Sequence, residues 1–320
     1  MASLIRDSIE MVKDAVSGSS KFDKRLITVG IRGASKTTFL GCLHLACDLL
    51  SIQDKNFTHF IDEKVGGMRK VASQLCRGYF PEATPPGLIY EADEVMTWHT
   101  SLGKKTVRLA FAETAGEDIE TLIGPYRKSM YYKAPTYRSA EILNQYICDS
   151  NGYVLTIPVS QIPGLPQVVD EPPDDLEDPD LNAARILSRI FAHKKRTHSP
   201  RIDGIAVLWT KSDMVEEWLR AKGMDLHNPV TARTFLTTYF RQTASVLKDF
   251  ALEHGWDKIK FFPMFVQVEK TVLPDGSVQF NKWPDGKGYK IILDEENNLP
   301  SFAMKSSFDF IHWVKETFAK

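Results

Sequence analysis

The sequence predicts a doubly wound α/β fold: a mostly parallel sheet with helices on both faces and a β-hairpin insertion. Three observations carry that expectation. From Arg25 onward, strand-like and helix-like segments alternate along the chain. Two segments, GYVLTIPV at 152–159 and GIAVLWT at 204–210, are near-continuous apolar runs of the kind a parallel sheet buries on both faces. A glycine-containing turn after Val29 leads from an apolar strand into a strongly apolar helix.

The elements follow in order. In an N-terminal segment, 1–20, Ile5, Ile9, Val12 and Val16 recur at helical spacing. The mixed charge of that helix's polar face favours packing on its own domain over a membrane surface. The main domain, 21–320, opens with the strand RLITVG (25–30) and the helix Lys36–Leu50. A helix is expected over 62–78, strands over 87–98 and 105–113, and a helix over Ser139–Cys148. Helices over 181–194 and 230–254, a strand over 258–268 and a last helix over 303–318 complete the set. Phe308, Phe310, Trp313 and Phe318 of that last helix are expected to pack on the sheet. Three stretches read as insertions. Residues 51–80 lengthen the path after the first helix. Residues 158–180 are rich in proline and acid, which predicts a mobile loop. Residues 270–298 hold two Pro-Asp-Gly turns and read as a hairpin or meander.

Composition narrows the function classes. With 320 residues, 43% of them hydrophobic, the chain can bury a large core. A formal charge of −1 argues against a nucleic-acid binder, whose domain would be strongly basic. Cys42, Cys47, Cys76 and Cys148 form no C-x-x-C pair and read as reduced thiols. The eight histidines show no His-x-x-x-His or His-x-Glu spacing, which predicts no zinc site. No apolar run approaches the ~20 residues needed to cross a bilayer, and the N-terminus lacks a signal-like apolar core. A soluble, cytoplasmic protein is expected. The basic run HKKRTHSPR (193–201) is read as a solvated helix end that complements the dipole.

Three motifs carry chemistry. The first is Gly30-Ile31-Arg32-Gly33-Ala34-Ser35-Lys36-Thr37, followed by Thr38, between a strand and a helix. Backbone N–H groups at such a helix start form a concave anion site, and glycine lets the backbone approach phosphate oxygens. Lys36 would reach the β- and γ-phosphates and the Thr37 hydroxyl would ligate Mg²⁺. Ser35 stands where the strict pattern has glycine. The second motif is Glu113-Thr114-Ala115-Gly116 at the end of the strand VRLAFAE. The third is Thr210-Lys211-Ser212-Asp213, directly after the buried strand IAVLW.

In these motifs and their order the chain resembles the Ras-like, TRAFAC-class P-loop GTPases. The resemblance implies GTP/GDP and Mg²⁺ as ligands. Glu113 stands where an acidic residue supports Mg²⁺ through water, and Gly116 where a backbone N–H senses the γ-phosphate. Asp213 stands where a carboxylate accepts two hydrogen bonds from guanine, with the Lys211 stem along the base plane and Thr210 beside it. Thr84 is the first candidate, and Thr58 the alternative, for the threonine that covers the γ-phosphate and completes the Mg²⁺ shell. A base-contacting loop is expected near Val266–Glu269. The spacing and the FPEAT segment also resemble the prokaryotic double-GTPase group. Where such enzymes orient water with glutamine, this chain has Glu117, which either acts as a base or faces solvent. Arg32 either reaches the γ-phosphate as a finger in cis or faces solvent or a partner; Arg127 and Arg138 are further candidates. Two readings stay open: a GTP-binding switch with slow hydrolysis, read by a protein partner, and a non-hydrolysing pseudo-GTPase acting as a binding module. The motif order disfavours a P-loop ATPase or kinase.

Overall fold

The computed structural model of the chain describes residues 24–30, 33–65, 67–82, 89–101, 103–114, 146–159, 178–197, 201–272, 278–285, 288–294, 296 and 298–319. The expected N-terminal helix, Arg32, Thr84, Gly116, Glu117, Arg127, Arg138 and most of the acidic loop lie outside these residues.

Four parallel strands form the central sheet: β1 (Leu26–Val29), β5 (Gly152–Pro158), β6 (Gly204–Thr210) and β7 (Ile259–Met264), hydrogen-bonded in the order β1-β5-β6-β7. β5 and β6 are buried along their whole length, and their side chains alternate between two cores. Tyr153, Leu155, Ile157, Ile205, Val207 and Trp209 face one, while Val154, Ala206 and Leu208 face the other. Strict alternation of large apolar residues on both sides is what a sheet covered twice requires.

On the second face lie α1 (Lys36–Gln53), α2 (Met68–Cys76) and α7 (Met304–Phe318). On the first lie α3 (Pro179–Thr197), α5 (Pro229–Tyr239) and α6 (Arg241–His254), with the short α4 (Glu216–Ala221) at the edge. Apolar residues circle α1 almost completely because it is enclosed by the sheet, α2, α7 and the strands below it. Phe310, Trp313 and Phe318 of α7 are at most 4% exposed, and Phe310 stands edge-on to Phe39 at 5.3 Å between centroids.

A separate antiparallel sheet, β2 (Phe57–Val65), β3 (Ile89–Thr100) and β4 (Gly103–Thr114), follows α1, and β4 runs beside β1. A helix was expected from 62, but Asp62–Val65 end β2 and the helix starts at Met68. Strand pairing with β3 overrides the local helical pattern there. The expected helix 230–254 is two helices, divided at Phe240, whose fully buried ring packs on Trp209 at 5.1 Å.

After β7, β8 (Lys270–Val272) and β9 (Val278–Phe280) pair antiparallel as the hairpin. The bridges Lys282–Tyr289, Val268–Ile291, Leu293–Pro300 and Val266–Phe302 fold the rest of the insertion back on the end of β7. No helix among the described residues is long and apolar enough to cross a membrane.

Candidate functional site

The turn after β1 is shaped by close approach. A Cβ on Gly30 would stand 2.0 Å from Thr156 Oγ1 and 2.9 Å from its carbonyl oxygen, so only glycine fits where the loop leaves β1 beside β5. Gly33 has φ +72° and faces open space. Ala34 is fully buried. Ser35 caps α1 from the left-handed region, with φ 58° and ψ 30°. That is the conformation for which the usual residue at this place is glycine, and an L-residue there is strained by ~1–2 kcal/mol. The Ser35 carbonyl accepts the first helical bond, from Phe39 N–H at 2.9 Å.

Lys36, the first residue of α1, is 6% exposed and donates from Nζ to the Gly30 carbonyl at 3.0 Å. The ammonium therefore lies across the mouth of its own loop. Thr37 and Thr38 follow in the first helical turn, which presents the N-terminal, positive end of an 18-residue helix. Asp and Glu are absent from that turn.

The Thr210–Asp213 segment arrives at the same end of the sheet, at the carboxyl end of β6. Lys211 is in the left-handed region (φ 59°, ψ 32°) and caps a short 3₁₀ turn, Ser212–Val215. Ser212 Oγ donates to the Met264 carbonyl at 3.3 Å, tying the motif to the end of β7. Burial pushes the Asp213 carboxyl up to about 6, against the N–H groups of Asp213 and Met214 and the Lys270 charge, which hold it down. Thr210 is 2% exposed and its Oγ1 has no hydrogen-bond partner among the described residues. A buried hydroxyl without a partner costs free energy unless something fills the space beside it.

A cavity of about 160 Å³ lies at this end of the sheet. Ser35, Thr38 and Phe39 of the first motif line one side; Thr210, Lys211, Asp213 and Met214 line another. Phe265, Val266 and Val268, from the segment where a base-contacting loop was expected, close it together with Phe80, Tyr289 and Phe302. Whole-ligand pockets run to roughly 300–1,000 Å³, so this volume suits a single ring system rather than a complete nucleotide. Asp213 is a polar group on a wall otherwise mostly apolar, the composition of a small-molecule site.

Not every expected residue joins this group. Thr58 lies on β2, exposed, with Oγ1 3.5 Å from His99 Nε2. Its neighbour His59 meets Asp48, some three turns along α1 from Lys36, so Thr58 is far from the first motif. Glu113 is near the end of β4, paired with Tyr90; its side chain is outside the described residues. Phe80, Tyr289 and Phe302 were not legible as site residues, because Phe80 and Tyr289 come from the insertions and none of the three belongs to a motif. The reading of 193–201 as a solvated helix end is also corrected at Lys194. That residue is 8% exposed, and Nζ donates to the Cys148 carbonyl at 2.7 Å and to the Ser150 carbonyl. Burial lowers its pKa to about 8.

No protein-family model matches this chain, and no curated protein matches it. Many solved structures resemble it, among them two that are GTP-binding or GTPase-like. One is nucleolar GTP-binding protein 1 from Plasmodium falciparum, 11% identical over 78% of this chain and 79% of that one, with a TM-score of 0.32. The other is the S. cerevisiae Ski7 GTPase-like domain bound to GTP, 14% identical over 76% of this chain and 42% of that one, with a TM-score of 0.38. At these identities and scores neither likeness bears on what this chain binds.

Proposed function

We propose that this chain binds a guanine nucleotide with Mg²⁺ and acts as a GTP-dependent switch with slow intrinsic hydrolysis. The observation that carries the proposal is the cavity shared by the first turn of α1 and the Thr210–Asp213 segment. Two motifs whose first residues, Gly30 and Thr210, are 180 positions apart in the sequence meet there in the order and strand context that phosphate and base recognition need. The phosphates would lie on the Gly30–Thr38 turn, where backbone N–H groups, the helix N-terminus and Lys36 supply positive potential. Lys36 would exchange the Gly30 carbonyl for phosphate oxygens. Guanine would enter the apolar cavity and donate N1–H and its exocyclic amine to Asp213. Adenine offers no such donor pair and would leave a buried carboxylate unpaired.

Thr37, Thr84 and Glu113 would complete the Mg²⁺ shell, which neutralises charge on the bridging oxygens when bound. Gly116 would sense the γ-phosphate, and the segment after it, with the hairpin, is where a protein partner would read the loaded state. Arg32 and Glu117 are the candidates for transition-state stabilisation and for positioning water. The FPEAT segment keeps the prokaryotic double-GTPase group within this reading.

Ser35 favours a second reading, a pseudo-GTPase that binds without turnover, because a serine held at φ 58° stands where the family pattern has glycine. Equilibrium binding and single-turnover hydrolysis separate the possibilities. GTP and GDP should bind at least 100-fold tighter than ATP, about 3 kcal/mol. Asp213→Asn should abolish most of that preference and Lys36→Ala should abolish binding. Phosphate release no faster than in Lys36→Ala would select the pseudo-GTPase. ATP binding tighter than GTP, unchanged in Asp213→Asn, would overturn the assignment.

A further inference from the structure

About three turns along α1 from Lys36, a second constellation is assembled from three elements. His44 and Asp48 are four residues apart on α1, His59 is on β2 and Glu94 on β3. Spacing within single segments predicted no zinc site, and that reading could not see side chains contributed by a helix and two strands.

The geometry has an internal order. Glu94 is fully buried. Its Oε2 meets His44 Nδ1 at 3.3 Å and its Oε1 meets His59 Nδ1 at 2.6 Å. With the Glu94 carboxylate accepting from each Nδ1, each ring is left with Nε2 on its outer side. Both Nε2 atoms face the same group: His59 Nε2 is 3.0 Å from Asp48 Oδ1, and His44 Nε2 is 3.7 Å from Asp48 Oδ2. We propose that His44 Nε2, His59 Nε2 and the Asp48 carboxylate bind a divalent transition-metal ion of zinc-like preference, with Glu94 as the buried acceptor that orients both imidazoles.

Four features of the cluster support the site. Zinc–ligand bonds of ~2.0–2.2 Å in tetrahedral geometry put donor atoms roughly 3.3–3.5 Å apart, and the two spacings to Asp48 bracket that figure. The donor atoms of His44, Asp48 and His59 all lie within 4.8 Å of one another. A carboxylate behind the distal nitrogen of a ligating histidine is the usual outer-shell arrangement, since it fixes the tautomer and raises basicity. The two carboxylates supply the two negative charges that a divalent cation needs. Asp48 is 52% exposed while the imidazoles are 12% and 6% exposed, so an ion enters from solvent on the Asp48 side and keeps a coordination position there for water. Two imidazoles with one carboxylate select zinc-like ions over Mg²⁺ or Ca²⁺, which prefer all-oxygen shells. A bound ion would clamp the middle of α1 to β2 and β3. Cys47 Sγ also comes within reach of His59 and Glu94, and the cobalt spectrum distinguishes that set.

The test uses the full chain, stripped with a chelator, nucleotide-free and in excess Mg²⁺. Co²⁺ is titrated by visible absorption and then displaced with Zn²⁺. One Co²⁺ per chain is expected, without a thiolate charge-transfer band, unaffected by Mg²⁺ and retained in Lys36→Ala. Asp48→Asn and His44→Gln should each weaken it at least tenfold, and Zn²⁺ should raise the unfolding temperature of the wild type and Lys36→Ala more than that of either site variant. Asp48 is half exposed, so Asp48→Asn serves if His44→Gln does not fold. No saturable Co²⁺ spectrum, equal affinity in Asp48→Asn, or a thiolate band would each overturn the proposal; the first two would leave an ion-pair network only.

Discussion

Asp213 and Ser35 set two expectations at the scale of single residues. Burial holds the Asp213 carboxyl near 6, and guanine recognition needs its ionised form. Because the acid form dominates below that value, guanine-nucleotide affinity should be nearly constant above pH 7. It should fall by up to about tenfold per pH unit below 6. Titrating GDP affinity between pH 5 and 8, with Asp213→Asn as the flat control, checks the sign; affinity that rises on acidification would contradict it. Ser35→Gly should remove ~1–2 kcal/mol of left-handed strain and give back ~0.5–1 kcal/mol as backbone entropy. The net expectation is a gain of between zero and about 1.5 kcal/mol in denaturant unfolding, with nucleotide binding retained. A loss of stability would mean that the serine side chain makes contacts outweighing its strain.

Elements explain what the sequence disclosed and what it withheld. β5 and β6 were legible because seven consecutive buried positions leave a sheet covered on both sides as the simple solution. α7 was legible from its aromatic spacing. β2 was not, because FTHFIDEKV has no clean alternation and is held by its register with β3 rather than by local preference. The break at Phe240 escaped notice for a similar reason: it depends on one ring seated against Trp209. The Gly30–Thr38 turn and Asp213 stood out by motif and context, and the fold brings both to one cavity, whereas Phe80, Tyr289 and Phe302 reach it only through tertiary folding. Lys194 shows how a charge run can mislead. Its ammonium satisfies carbonyls where a helical turn at residues 146–149 runs into β5. Lys194→Met should leave those acceptors unpaired and destabilise the fold by ~1–3 kcal/mol, whereas Lys195→Met, on the exposed side, should change it by less than about 0.5 kcal/mol. Equal effects in thermal or urea unfolding would contradict this account of α3.

At the scale of the molecule, one helix joins the features. α1 begins in the Gly30–Ser35 turn, packs between the central sheet and α7, and meets β2 and β3 at His44 and Asp48. The cavity lies at the carboxyl ends of β6 and β7, the edge of an open α/β sheet where ligands are expected. Both cores are built from residues of the same four strands, so the site rests on the most buried part of the fold. The most direct measurement is the identity of the nucleotide that co-purifies with the wild-type chain and with Lys36→Ala. Near-stoichiometric GDP or GTP with the wild type, and none with the variant, is the expected result. An adenine nucleotide, or no nucleotide with either protein, would contradict guanine-nucleotide binding at this site.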